Sequence, residues 1–248
     1  MLISNLSNWV VITFIFQIIV NAYYGSSIGE VSKNNSTYLT PDGITFIIWT
    51  FIYIFQLLLV IYQYINPNLL ENARIPLIIA FVSNGIWCIF WYYNYWWVQF
   101  ADILIYLSSL IFLYFIIVQS YILNWYTVFT HFAISANLPW CLFASVISLT
   151  VALQNSNYTI TEAWPIFWII IITIISNIAI ISKFDFIFGL VTIWALGGIC
   201  RNQNENTSLL PVNLVSENIY LTSVICIYIT GITTLLFFSL LVFCKRNL

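Results

Sequence analysis

The sequence predicts an all-α fold, a polytopic membrane bundle of about eight transmembrane helices with almost no mass outside the bilayer. Three observations carry this reading. Of the 248 residues, 62% are hydrophobic and only 6% are charged, against roughly 25% charge in a soluble domain. The mean hydropathy is +0.99. Apolar runs of about 20 residues, the length that crosses a bilayer core, recur along the whole chain. Six Lys/Arg and eight Asp/Glu cannot build a polar shell around a globule of this size. The apolar surface must face lipid, which makes the bilayer the first partner. A formal net charge of −2 gives no basic footprint for nucleic acid and no polybasic patch for peripheral attachment.

The spans fall at residues 8–23, 43–65, 75–93, 97–119, 127–153, 162–182, 185–200 and 218–243, the seventh being short. The first run has no basic flank before it, so it reads as a retained helix and not a cleaved signal. Segments 24–42 and 201–217, rich in Asn, Ser and Thr, read as the two long linkers. Pro41-Asp42-Gly43 breaks the chain ahead of the second span. Thr159-x-x-Glu162, followed by Pro165, reads as a capping box for the sixth, and Ser182-x-x-Asp185 as one for the seventh. These acids are then caps, not catalysts.

With eight spans both termini share a side. That side collects Arg74, Lys183, Lys245 and Arg246, and the other Lys33 and Arg201, a bias that puts the termini in the cytosol. Sequons at Asn34, Asn35, Asn157 and Asn206 all fall on the opposite side. The cysteines at 88, 141, 200, 226 and 244 form no CxxC pair, and with a single histidine they read as inert thiols and not as metal ligands.

Aromatic residues make up 19% of the chain, with 11 Trp. Trp96, Trp97, Trp125 and Trp164 stand near helix ends, as interfacial belts do. Others lie in mid-span at helical spacing. Phe46, Trp49 and Tyr53 form one stripe at i, i+3 and i+7; Asn84, Trp87 and Trp91 form a second; Trp140 follows Pro139 in the fifth span. Buried indole N–H groups need partners, so these rings should face the bundle interior. Aromatic core packing and an aromatic-lined pocket both remain open on composition alone.

The run from Ile28-Gly29-Glu30 through Tyr38-Leu39-Thr40-Pro41-Asp42-Gly43 to Phe46, Trp49 and Tyr53 resembles the tryptophan-rich sensory protein family, the translocator protein or peripheral benzodiazepine receptor (TspO/MBR-related) superfamily. Asn84-Gly85-Ile86-Trp87 resembles the Asn-x-x-Trp of its third helix, and Trp140-Cys141-Leu142-Phe143-Ala144 its fifth-helix Trp-x-x-x-Ala. Glu162-Ala163 and Phe188 to Ile199 resemble the C-terminal helices of a longer branch. Where shorter members carry Gly or a second Pro near the fifth-helix Trp, this chain reads Ala133-Ile134-Ser135, and its loop 24–42 is poorer in Trp and Pro. The resemblance implies a five-helix TspO-like core over residues 1–153, with three further helices over 154–248 packed on it as a single unit. It also implies a pocket that accepts a tetrapyrrole or sterol, with no certain cofactor. The residues it singles out as ligand-binding are Phe46, Trp49, Tyr53, Asn84, Trp87, Trp91 and Trp140.

Three polar residues inside spans are weighed singly. For Asn84 an interhelical hydrogen bond and a pocket role both stay open. Asp102, one turn into the fourth span, reads as interfacial with its carboxylate reaching water. His131 reads as an interfacial imidazole with its hydrogen bonds satisfied. No Walker loop, GxSxG, HExxH or mid-membrane carboxylate pair is present, so catalysis is not indicated. Two functions follow: binding, and translocation or sensing, of a flat apolar small molecule; or a structural or assembly role, as a homodimer or as a subunit of a membrane complex.

Overall fold

The structure, a computed structural model, describes residues 2–66, 70–118, 125–204 and 210–246. Among these residues every regular element is helical. The α-helices are α1 (Leu2–Asn34), α2 (Ile48–Ile65), α3 (Arg74–Tyr92), α4 (Trp96–Ile117), α5 (Trp125–Asn155), α6 (Ala163–Lys183), α7 (Phe186–Gln203) and α8 (Glu217–Arg246). Short 3-10 turns lead into α2 (Gly43–Ile47), α3 (Glu71–Ala73) and α8 (Val212–Leu214). Seven of the eight are long and apolar enough to cross a membrane. The exception is α7, whose 18 residues rise about 27 Å, just short of a hydrocarbon core of about 30 Å. It ends on Arg201-Asn202-Gln203, and most of its side chains are buried against protein. The chain is an integral membrane protein.

The first five helices pack in a ring. α1 lies along α3, α3 along α4, α4 along α5 and α5 along α2, while α1 and α2 touch only lightly. α6, α7 and α8 pack on one another and meet the ring through α5, chiefly from α7. α5 therefore serves two cores. Ala133, Ile134, Leu138 and Cys141 join the core of α1, α3 and α4, and Ala136, Trp140, Phe143 and Val146 join that of α2, α6, α7 and α8.

Several local expectations are corrected. Segment 24–42 is not a linker throughout, because α1 continues to Asn34. Gly25, Ser26, Ser27 and Gly29 are weak helix formers, but none breaks a helix as proline does. Ile28 and Ser32 find a buried face there, and Asn35 closes the end by donating Nδ2–H to the carbonyl of Val31 at 3.0 Å. Likewise α7 runs into the expected linker as far as Gln203. Glu162 makes no capping bond to the backbone; its Oε2 accepts from Asn218 Nδ2 on α8 at 3.1 Å. Asp185 is itself the N-cap of α7, its Oδ1 accepting the Phe188 N–H at 3.0 Å. Ser182 still belongs to α6 and donates to Ile178, because that helix ends only at Phe184, whose φ of 56° is left-handed.

Asp102 does not reach out of the bundle. It shares the buried face of α4 with Gln99, Ile103, Tyr106, Ser109 and Leu110, at helical spacing, and its Oδ2 is fully enclosed. His131 is buried as well. Cys88, Cys141, Cys200 and Cys226 are buried free thiols, while the side chain of Cys244 lies outside the described residues. Trp97 and Trp164 each donate their indole N–H to a hydroxyl at 3.0 Å, Trp97 to Ser156 just past the end of α5 and Trp164 to Thr150 on α5; the side chain of Trp125 lies outside the described residues.

Candidate ligand pocket

The pocket is built on a turn. Thr37 and Thr40 fold the loop back on itself: the Thr37 N–H donates to Thr40 Oγ1 at 2.8 Å, and the Leu39 N–H to Thr37 Oγ1 at 3.2 Å. Pro41 then directs the chain into the 3-10 turn, where the Thr45 N–H meets the Asp42 carbonyl at 2.9 Å. With three residues per turn in a 3-10 helix, Phe46 sits almost directly over Trp49 at the head of α2.

From there the aromatic rings meet across the ring of helices. Trp49 stacks on Tyr53 at 5.5 Å with 23° between the planes. Trp140 on α5 meets both Trp49, at 6.2 Å, and Phe46, at 5.8 Å, in T-shaped contacts. On α3, Trp87 stacks on Trp91 at 5.3 Å, and Trp91 meets Trp96 edge-on at 5.5 Å. Phe46, Trp49, Trp87, Trp91 and Trp140 line one common cavity. Ile28 and Ser32 of α1, Leu39 and Pro41 of the loop, Phe143 and Ala144 of α5, and Ala195 and Ile199 of α7 complete it. The spacing of Trp140 and Ala144 along α5 brings both to the same wall.

The cavity measures about 30 Å³, room for a water or two and far below the several hundred Å³ of ligand sites. Its walls are apolar apart from Ser32 and two further features. Ser148 lines it with its hydroxyl engaged, donating to the Ala144 carbonyl at 2.6 Å and accepting from Gln99 at 2.7 Å. The indole nitrogens of Trp87 and Trp91 are buried and have no hydrogen-bond partner.

Tyr53 and Asn84 do not line this cavity. They belong to a polar cluster centred on the half-buried Asn21 of α1. Asn21 Oδ1 accepts from the Tyr53 hydroxyl at 2.7 Å and from Cys88 Sγ at 2.9 Å. Its Nδ2 donates to Asn84 Oδ1 at 3.0 Å and to the Gln17 carbonyl at 2.9 Å. All four hydrogen-bonding capacities of one amide are used, tying α1, α2 and α3 together inside the membrane. Sequence reasoning passed over Asn21, although an amide inside an apolar run was the available signal.

The roof of the cavity is held from α7. Trp194 donates its indole N–H to the Thr45 carbonyl at 2.8 Å, and the Asp42 N–H reaches the Gly198 carbonyl at 3.0 Å. Asn202 Nδ2 donates to the Thr40 carbonyl at 2.9 Å, and Gln203 Nε2 to the Tyr38 carbonyl at 2.7 Å. Arg201 pairs with Asp42 at 3.1 Å. Gly198 is required at this crossing, since a Cβ there would collide with the Thr45 side chain. Gln203 also accepts from the Ser216 N–H at 2.7 Å, which ties the start of α8 to the same roof.

Among the described residues no three His, Cys, Asp or Glu side chains gather in a way that could hold a metal ion. What the walls offer is stacking surface and two indole donors. A family model described as TSPO-like protein matches residues 6–236 of the chain. Neither a curated protein nor a solved structure matches it.

Proposed function

The chain belongs to the TSPO-like protein family, and from that premise we propose that it binds a flat apolar ligand, of tetrapyrrole or sterol class, and translocates or senses it. The observation that supports this reading is the convergence of Phe46 from the 3-10 turn and of Trp49, Trp87, Trp91 and Trp140 from three separate helices on one shared cavity. Rings stacked at 5.3 and 5.5 Å present flat faces suited to a planar ligand. The unpartnered indole donors of Trp87 and Trp91 suit a ligand that carries acceptors. At about 30 Å³ the cavity is closed to such a molecule, so binding requires its walls to part. The work done is binding and not catalysis, and both termini lie in the cytosol. The sequon-bearing ends of α1 and α5 share the opposite side, where Asn155 reaches Asn35 at 3.5 Å; the sequon at Asn206 lies outside the described residues.

Titration of the protein in nanodiscs with protoporphyrin IX tests this. Saturable tryptophan quenching, lost in Trp87→Ala, is the expected result. No saturable quenching with any porphyrin or sterol probe overturns it.

One observation favours a second reading, assembly into a homodimer or a larger membrane complex. α6 and α8 leave between them an isoleucine-lined groove of about 510 Å³, and α8 exposes Ile225, Tyr228, Ile232, Leu235 and Leu236 outward. Comigration with other subunits in native electrophoresis would favour assembly over binding.

A further inference from the structure

We propose that the Gly43–Ile47 turn is a door between the inner cavity and an outer, lipid-facing site, and that the end of α7 is the bolt that keeps it shut. This rests on the ligand-binding reading above and names where the ligand first lodges and what governs its passage.

The outer site lies in the wedge where α1 leans on α3 and leaves α2. It is a groove of about 380 Å³, within the range of small-molecule sites that the inner cavity misses by an order of magnitude. One wall is aromatic, with Phe46, Trp49 and Tyr53; the other, on α1, is opened by Gly25 and Gly29, which have nothing within 4 Å of where a Cβ would stand, between Asn21, Ser26 and Ile28. A slot between ring faces and the glycine positions of α1 fits a flat ring system. Its polar side chains are few: Ser26, Asn21, and the Tyr53 hydroxyl, which donates to Asn21 and keeps acceptor capacity. The ligand class is a flat apolar ring with one hydrogen-bonding edge.

Ile28, Phe46 and Trp49 line both spaces, so Phe46 and Trp49 form the partition between them. Phe46 sits on a five-residue turn whose neighbours Ile44 and Ile47 are exposed. That turn and the loop before it are fixed by α7, through Trp194 on Thr45, Gly198 on Asp42, Asn202 on Thr40 and the Arg201–Asp42 pair. Loosening these bonds frees the partition without disturbing the helices that carry Trp87 and Trp140.

The test is stopped-flow tryptophan quenching by protoporphyrin IX, with the full chain in phosphatidylcholine nanodiscs. Phe46→Ala and the double variant Arg201→Ala/Asn202→Ala should raise the association rate on the order of tenfold, the effect of losing one or two net hydrogen bonds from the closed state. Gly25→Leu, which fills the groove, should lower it by a similar factor, and Lys183→Ala should leave it unchanged. Wild-type rates in all the door and groove variants, with saturable quenching intact, overturn the proposal. If the wild type does not quench at all, the ligand reading falls and the bolt is judged by hydrogen exchange. Faster exchange of amides 38–47 in Arg201→Ala/Asn202→Ala upholds it, and unchanged exchange overturns it. Should the double variant fail to insert, Arg201→Gln, at an exposed position, is read in the same two ways.

Discussion

Trp194 donates its indole N–H to the main-chain carbonyl of Thr45 at 2.8 Å, joining two residues 149 positions apart. The bond links the seventh helix to the turn that sets Phe46 and Trp49 over the cavity, so the later helices take part in shaping a pocket whose rings come from the first five. Thr45 is buried, and its carbonyl, which also accepts the Ile48 N–H, has a second lone pair to offer the indole.

At the same crossing, Gly198→Ala should lower thermal stability in detergent by about 1–3 kcal/mol, the usual range for overpacking a tight contact. The added Cβ meets Thr45 Oγ1 and Cγ2 first, so Thr45→Ala in the same chain should recover part of the loss. Strictly additive losses would show that the two residues do not touch.

Asn21→Ala should cost roughly 1–3 kcal/mol or more, because it leaves the Tyr53 hydroxyl, the Cys88 thiol and the Asn84 amide without their shared partner. Tyr53→Phe removes one bond only and should cost about 1 kcal/mol. Equal melting shifts for the two variants would contradict a hub at Asn21.

Trp91→Phe should be close to neutral for stability, since the indole N–H it removes is buried and unpartnered. Trp91→Ala should cost about 3–5 kcal/mol through the void it leaves. If Phe proves as damaging as Ala, the N–H is paired in the membrane-embedded protein.

Asp185→Ala should destabilise by about 0.5–2 kcal/mol through loss of the α7 N-cap, with Asp185→Asn retaining most of the wild-type stability. Thermal denaturation of the three proteins side by side decides it; a loss in the asparagine variant as deep as in the alanine one would mean the charge, not the cap, matters.

The helices themselves were legible because lipid imposes a minimum apolar length, and that constraint is written in composition. The Phe46–Trp49 stripe was legible too, since both helical and 3-10 geometry bring residues three apart onto one face. Tyr53 and Asn84 were harder, because a further turn of helix carries a side chain past the cavity and down to Asn21, a displacement that spacing alone does not register. The contribution of Ala195, Gly198 and Ile199 to the pocket left no mark, because small and aliphatic residues are common to any packed helix. The caps misled: Glu162 and Ser182 have the right types at the right interval, but a left-handed Phe184 moved the boundary by three residues, and Asn218 drew the glutamate away.

The loop that covers the cavity is gripped at Tyr38, Thr40 and Thr45 through main-chain oxygens, which every amino acid possesses. At those three grips the identity of the loop residue is not read, whereas Thr37, Thr40 and Asp42 also act through their side chains. What descent must also preserve lies elsewhere, in a tryptophan, a glycine, an arginine and two amides near the end of a helix far along the gene. Lineages that inherit the covering loop without that distant grip would need some other means of stiffening it.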